Sequence, residues 1–397
     1  MSLVTPQIEE YIKTQSWIRR MFEAATELKA QYGAENVFDF SLGNPDVPPP
    51  SQVRDALAEI AAASGKPSSL GYGPNAGAPS VRKALAERIA REQQTELTAQ
   101  HVIVTSGAAG ALNTILRVVL QPGDRVVCFA PYFVEYGFYV ENYGGQLDAV
   151  ASRPQTFDID IPALAAAIGP QTRAMIINSP NNPSGTVYDE DELGAIAALL
   201  RQKSLEFGKP ILLISDEPYR FLTYDGTTVP PVLPAYEYSI VVSSFSKSLS
   251  LAGERIGYIA VNPAMQDVDL LLSGMILANR ILGFVNAPVI GQYIVERALA
   301  SSVDIAIYDE RRHAMAGILD AIGLQYTMPK GAFYFFPKAP MAMDDMEFVR
   351  LLLRENIIAV PGAGFGCPGY FRLAYCVDKT IIQNSRPAWE RARKNYE

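Results

Sequence analysis

The lysine in SSFSKSLSLAGERIGY (Ser243–Tyr258) follows an apolar run, YSIVV (Tyr238–Val242), that reads as a buried strand. Lys247 therefore stands just past a strand end, where open α/β sheets hold their ligands. A lysine there is a covalent catalyst, a phosphate ligand or an ordinary surface residue. Ser244 and Ser246 precede it and Arg255 follows it. An arginine near two serines suits a phosphate clamp.

Other strand ends carry complementary groups. After VIVT (102–105) comes SGAAGAL, in which Gly107, Ala108 and Ala109 open a helix. Small residues let backbone N–H groups approach an anion, and the helix N-terminus adds positive dipole; packing alone also favours small residues at such a turn. After RVVCFA comes PYF, which puts Tyr132 or Phe133 either over a flat ligand ring or in the core. After RAMIIN comes SPNNPSG, whose Asn181 and Asn182 either shape the turn or aim an amide at a ligand. After ILLI comes SDEPYRFL. Asp216 and Glu217 leave a buried run directly, and a carboxylate there is costly unless it meets a cation or a metal. Tyr219 lies three residues beyond Asp216 and presents a phenol to the same pocket. Together these groups suit a flat, phosphorylated, cationic heteroaromatic that bears an aldehyde. Pyridoxal 5′-phosphate meets that description: the lysine forms the Schiff base and the acid pairs with the pyridinium nitrogen.

The elements that must position these residues alternate along the chain. VIVT, RVVCF, RAMIIN, ILLIS and SIVVS read as buried strands, and AGALNTILRVVL, YFVEYGFYVENY and DEDELGAIAALLRQKSLEF between them read as helices. That alternation predicts an α/β domain with a mostly parallel sheet covered by helices on both faces. After about residue 262 the pattern changes. Long helical stretches run from Asp267 to Ala321, and AFYFF (332–336), a helix near 345–355, IIAV (357–360), YFRLAYC (370–376) and a terminal helix from Asp378 follow. These predict a smaller α+β domain. The Pro-rich turn NPDVPPPSQ (Asn44–Gln52) separates an N-terminal arm from the main domain.

Composition narrows the function classes. The 397 residues are 49% hydrophobic and 19% charged, an ordinary globular balance. A formal net charge of -8 argues against general affinity for nucleic acid or anionic membrane. No run of about twenty apolar residues occurs, and MSLVTPQIEEYIK lacks the regions of a signal peptide, so a cytoplasmic location is expected. Cys128, Cys367 and Cys376 are widely spaced and read as reduced thiols, not as a disulfide framework or a zinc site. Only two histidines occur, and His101 and His313 read as structural or solvated, which leaves no support for a histidine triad or a metal centre.

The order of SLGNPD, GYGPNAGAPSVRKALAE, SGAAGAL, APYF, NSPNNPSGTVY, SDEPY, SFSKSLSLAGERIGY, KGAFYFF, VPGAGFG and FRLAY resembles that of the fold-type I, pyridoxal-phosphate-dependent class I/II aminotransferases, across nearly the whole chain. The resemblance implies a seven-stranded-type sheet in the large domain. It also implies an N-terminal arm (residues 1–45) packing with the small domain, a large cofactor-binding domain (46–285) and a small C-terminal domain (286–397). In this likeness Lys247 holds the cofactor as a Schiff base and moves the proton, and Asp216 keeps the pyridine nitrogen protonated. Asn182 and Tyr219 hydrogen-bond the phenolic oxygen, and Phe133 stacks on the ring. Gly107, Ala108, Ala109, Ser244, Ser246 and Arg255 surround the phosphate. Arg372 binds the substrate α-carboxylate, with Gly43 and Asn182 beside it. Tyr72 is similar to a tyrosine that reaches the phosphate of a neighbouring subunit, which implies a homodimer.

Two features depart from many relatives. Ala109 stands where a hydroxyl or lysine is common in the phosphate turn, so only backbone donors remain there. Arg280, in ANRILGF, lies near the place of an arginine for a distal carboxylate, but it reads equally as a solvated helix-end residue. Tyr11, Trp17 and Phe22 have helical spacing and read as arm packing or as a lid. The implied activity is amino-group transfer between an L-amino acid and a 2-oxo acid by a ping-pong cycle. A C–S β-lyase on the same scaffold and a non-catalytic, cofactor-binding regulatory protein are the alternatives.

Overall fold

The computed structural model describes residues 2–13, 17–340 and 343–396; the side chains at 13, 17–20 and 22, and with them the expected packing or lid role of Trp17 and Phe22, lie outside that description. The chain enters through helices Pro6–Lys13 and Trp17–Tyr32 and a short strand, β1 (Phe38–Asp39). Seven strands then form one sheet: β2 (Val102–Thr105), β3 (Arg125–Ala130), β4 (Gln146–Ala151), β5 (Thr172–Asn178), β6 (Leu212–Asp216), β7 (Ser239–Ser244) and β8 (Gly257–Val261). Their spatial order is β2-β8-β7-β6-β5-β3-β4. Strand β8 runs antiparallel to β2 and β7, and the other pairings are parallel.

The expected doubly covered sheet is present, and the alternation of side chains shows why the strands read as continuous apolar runs. Val126 and Cys128 of β3, Ile176 of β5 and Ile214 of β6 point into one core with helix Gly107–Val119. Val127 and Phe129, Met175 and Ile177, and Leu213 of the same strands point into the opposite core, with helices Pro79–Glu92 and Glu190–Phe207. With both faces buried, no polar alternation is required. Helix Glu190–Phe207 starts on a reciprocal cap, Asp189 with Glu192, and ends on left-handed Gly208.

Two strands were not expected from periodicity. QLDAVA, β4, is an edge strand with mostly half-exposed or exposed residues, so it never forms an apolar run. GYIAV, β8, is buried but short, and it directly follows the arginine turn. The single terminal helix expected from Asp378 is two, Lys379–Asn384 and Arg386–Arg393, because Pro387 opens a new helix after Ser385.

Beyond residue 300 a second core forms. Helix Ile305–Ala321 and helix Asp345–Arg354 pack with β9 (Tyr334–Phe335), β10 (Ile357–Ile358), β11 (Val360–Pro361) and β12 (Phe371–Ala374). Three of these make an antiparallel sheet in the order β11-β12-β9. Strand β1 pairs in parallel with β10, and Met21, Ala25, Val37 and Phe40 of the arm join the same core. Helix Val289–Ala298 behaves differently: Ile294, Val295 and Ala298 pack in the large sheet's core. Among the described residues no helix is long and apolar enough to cross a membrane, and Cys128, Cys367 and Cys376 are free thiols.

The sheet delivers its functional residues to one rim. Ala130, Asn178, Asp216 and Ser244 end their strands there, and reversed β8 begins there with Gly257, in register with Thr105 and Ser244. A methyl on Gly257 would lie 2.6 Å from the Ser243 carbonyl oxygen and 2.7 Å from the Gly107 carbonyl carbon. Gly107 itself sits at φ +71°, a left-handed conformation that glycine adopts without penalty. These two glycines bring the helix start and the Lys247 strand into backbone contact. Gly257→Ala is expected to lower the stability of the cofactor-free protein by about 2 kcal/mol in urea unfolding, because backbone has to move. Gly253→Ala, with open space at its Cβ, is expected to stay within about 0.5 kcal/mol.

Candidate active site

A cavity of about 320 Å³ opens at this rim and reaches the second core. Of the residues expected there, Gly43, Ala108, Ala109, Phe133, Asn182, Asp216, Tyr219, Ser244, Ser246, Lys247, Arg255 and Arg372 all line it. Gly107 lies just behind, and a side chain on it would meet the Arg255 guanidinium at 2.8 Å. Tyr72 is not part of the cavity and is 93% exposed. Arg280 is exposed in the last turn of helix Val268–Ile281, also outside it.

Asp216 ends β6 on the floor. One carboxylate oxygen, Oδ2, accepts a 2.6 Å hydrogen bond from Tyr136 Oη–H. The other, Oδ1, is buried and has no partner in the protein. Burial pushes the carboxyl up to about 7; the Tyr136 bond opposes the rise and the neighbouring Glu217 charge adds to it. Among the described residues no cationic side chain meets this oxygen, so the cation or metal expected at this acid is not supplied by them. Glu217 turns away and is satisfied by Arg220 at 3.0 Å, Gln93 at 3.1 Å and Ser215 at 2.8 Å. Asn178, in register with Asp216 on β5, donates to the Asp216 carbonyl at 2.8 Å and accepts from Asn182 N–H at 2.7 Å. That pair ties the NNPSG turn to the acid's strand.

Lys247 stands in the one-turn helix Phe245–Ser248 after β7. Its Nζ donates to the Gly43 carbonyl and lies 5.5 Å over the Phe333 ring. Burial pulls its ammonium down to about 8; the Arg372 and Arg255 charges act in the same direction and Cys376 opposes them. On one side of the lysine, Ser244, Ser246 and Arg255 face the first turn of helix Gly107–Val119, where Ala108 and Ala109 offer only main chain. The first backbone N–H groups of a helix have no intrahelical acceptor. Arg255 is held by a 3.0 Å bond to the Ala252 carbonyl. An anion fits between these donors.

On the other side lies Arg372 of β12, buried to 2% exposure. Its Nη1 donates to Asn182 Oδ1 at 3.0 Å and its Nη2 to the Ser41 carbonyl. Its Nε is buried without a partner. The cavity thus holds an unpaired acceptor at Asp216, an unpaired donor at Arg372 and an anion cradle at Arg255, with the lysine amine between them. Those donors and acceptors fit a pyridinium nitrogen, a carboxylate and a phosphate, the groups of pyridoxal phosphate and an amino-acid substrate. Phe133 lines the cavity edge-on to Tyr136, with ring centroids 5.6 Å apart.

Sequence reasoning missed Tyr136, Asn178 and Tyr334. Tyr136 follows Phe133 by three residues, and the helical spacing of YFVEY was available as a signal. Asn178 is the polar last residue of an otherwise apolar strand. Tyr334 is hidden in the aromatic run AFYFF, and only folding separates it from its neighbours.

Comparison with known proteins agrees with this geometry. The family described as aminotransferase class I and II matches residues 35–384. The probable aspartate/prephenate aminotransferase of Thermus aquaticus is 35% identical over 365 residues, covering 88% of this chain and 89% of that protein. The aspartate aminotransferase of Bacillus subtilis is 32% identical over 381 residues, covering 91% and 92%. The crystal structure of an aminotransferase from Eubacterium rectale matches with a TM-score of 0.95 at 39% identity over 100% of both chains. Aspartate aminotransferase from Thermus thermophilus with maleate gives 0.86 at 28% identity, over 99% of this chain and 100% of that one. A lysine, an acid and an arginine converging on one cavity, in a chain matched over most of its length, place this protein in the class I and II aminotransferase family, as an enzyme of pyridoxal-phosphate-dependent transamination.

Proposed function

We propose that transamination runs through Lys247 in this cavity, and that L-aspartate is an amino donor. The observation that carries the site reading is the buried, unpaired Asp216 Oδ1 across from Lys247 and Arg372. The donor is suggested by the aspartate and aspartate/prephenate aminotransferases among the relatives. Bound pyridoxal phosphate supplies a carbonyl that condenses with amines and a pyridinium ring that withdraws electrons.

The chain's own groups do the rest. Asp216 Oδ1 would accept a hydrogen bond from the pyridinium N–H, and that positive partner would hold the carboxyl in its ionised form and the nitrogen protonated. Asn182 and Tyr219 hydrogen-bond the phenolic oxygen, and Phe133 covers the ring. Gly107, Ala108 and Ala109 offer main-chain donors to the phosphate; Ser244, Ser246 and Arg255 add side-chain donors. Arg372 binds the α-carboxylate as a fork beside Asn182, and Gly43 gives a backbone contact there. Lys247 Nζ would take the proton from the substrate Cα and deliver it to the cofactor's C4′ carbon, the shift that transamination requires. In the cofactor-free protein, burial holds its ammonium near 8, below an ordinary lysine, which favours the free amine that condenses with a carbonyl.

The segment around Tyr72 supports a homodimer. Gly73 N–H and Asn75 Nδ2 bond to Asn286 and Val285, which places the segment beside the turn that follows helix Val268–Ile281. Leu70, Tyr72 and Ile281 are exposed apolar or aromatic side chains in this region. In a two-fold pair Tyr72 reaches the partner's phosphate site. A cytoplasmic location accords with three free thiols. Within each subunit we place the arm at residues 1–45 and the start of the small domain near residues 300–304, because helix Val289–Ala298 packs on the large sheet.

Adding L-aspartate alone to the holoenzyme is expected to replace its visible absorbance with that of the amine form of the cofactor, and a 2-oxo acid to restore it. Lys247→Ala is expected to abolish both this change and the borohydride-trappable adduct; loss of neither, or no response to any amino acid in a broad panel, sinks the reading. In the cofactor-free protein, the rate at which pyridoxal phosphate is captured should rise with pH through a midpoint near 8, as the ammonium loses its proton; a midpoint above pH 10 would contradict this role. Sedimentation should give about twice the chain mass of 43.3 kDa, and a concentration-independent monomer would rule the dimer out.

A further inference from the structure

We infer that Tyr334 is a positioning residue that couples the carboxylate end of the site to its cofactor end. The inference rests on the roles proposed above for Arg372 and Tyr219. Tyr334 lies on β9, opposite Ala374 of β12. Arg372 is two residues earlier on β12, so the antiparallel register makes Tyr334 and Arg372 diagonal neighbours on one face. The Arg372 guanidinium carbon lies 4.8 Å from the Tyr334 ring centroid and 4.9 Å from that of Phe365. A buried cation against two rings is held in orientation as well as stabilised. The Tyr334 hydroxyl meets the Tyr219 hydroxyl at 2.8 Å. On one side it is packed against Gly43, where even a methyl group would overlap it.

Tyr219 has one hydroxyl proton to give. If that proton goes to the cofactor's phenolic oxygen, the bond to Tyr334 has the Tyr334 hydroxyl donating and the Tyr219 oxygen accepting. A donor that also accepts is strengthened. Tyr334 thereby orients Tyr219 toward the cofactor with its hydroxyl and Arg372 toward the carboxylate with its ring. The two contributions are separable, because phenylalanine keeps the ring and leucine keeps neither.

Three variants test this with two readouts: the pH midpoint of the holoenzyme's visible absorbance, and KM for L-aspartate or whichever amino acid the wild type accepts. Tyr334→Phe is expected to raise the midpoint by about one unit, since a weaker Tyr219 donor stabilises the phenolate form less, and to leave KM within about two-fold. Phe365→Leu is expected to raise KM about ten-fold, equivalent to about 1.4 kcal/mol, with the midpoint unmoved. Tyr334→Leu is expected to move both. An unmoved midpoint in Tyr334→Phe, or an unmoved KM in Phe365→Leu and Tyr334→Leu, overturns the inference. Cofactor content equal to wild type in Tyr334→Phe separates this outcome from misfolding. A wild type that shows no absorbance change with any amino acid faults the underlying functional reading instead.

Discussion

A carboxylate buried with one oxygen unpaired is a standing electrostatic cost, and Asp216 is the point on which this molecule turns. Strand β6 carries it out of the core, Tyr136 satisfies one oxygen and the other waits for a cation. The protein could have relieved the cost with a nearby lysine or arginine. Instead Lys247 bonds to Gly43, and Arg372 to Asn182 and Ser41. An acid left unrelieved, with its ionisation perturbed by burial, is a pattern common at functional sites.

Lys247 and Arg372 share one holder. Ser41 and Gly43 belong to the short segment that follows β1, and their carbonyls accept from Arg372 and Lys247 respectively. That segment is fixed because β1 adds to β10 and Phe40 is buried in the second core. The N-terminal arm is thus a structural part of the cavity, and its segment meets both Lys247 at the sheet's rim and Arg372 of the second core. Any shift of the second core moves Arg372, the Ser41–Gly43 carbonyls and, through Gly43, the resting place of the lysine.

Much of this was legible residue by residue. Strand ends are visible in sequence because both faces of a central parallel strand are apolar, so the polar close of an apolar run marks the rim; Ser215–Asp216 and Ser243–Ser244 stand out in that way. Gly107 was legible as a small residue at a turn, but not its close approach to Gly257. Edge strand β4 was invisible, because exposure removes the apolar signal. Tyr136 and Tyr334 were missed because an aromatic residue in an apolar setting looks like core, and their hydroxyl partners lie 80 and 115 residues away.

By itself the sequence determined the chemistry on offer: which side chains stand at the rim, in what chain order, and that a buried acid there needs a cation or a metal. Local pattern suffices for that, because polarity at a strand end is a property of neighbouring residues. Only the tertiary structure decided which groups remain unpaired. Glu217 follows Asp216 directly, yet Arg220, Gln93 and Ser215 satisfy one while the other keeps a free oxygen. Successive strand-end residues point to opposite sides of the sheet, and what each meets there comes from distant parts of the chain.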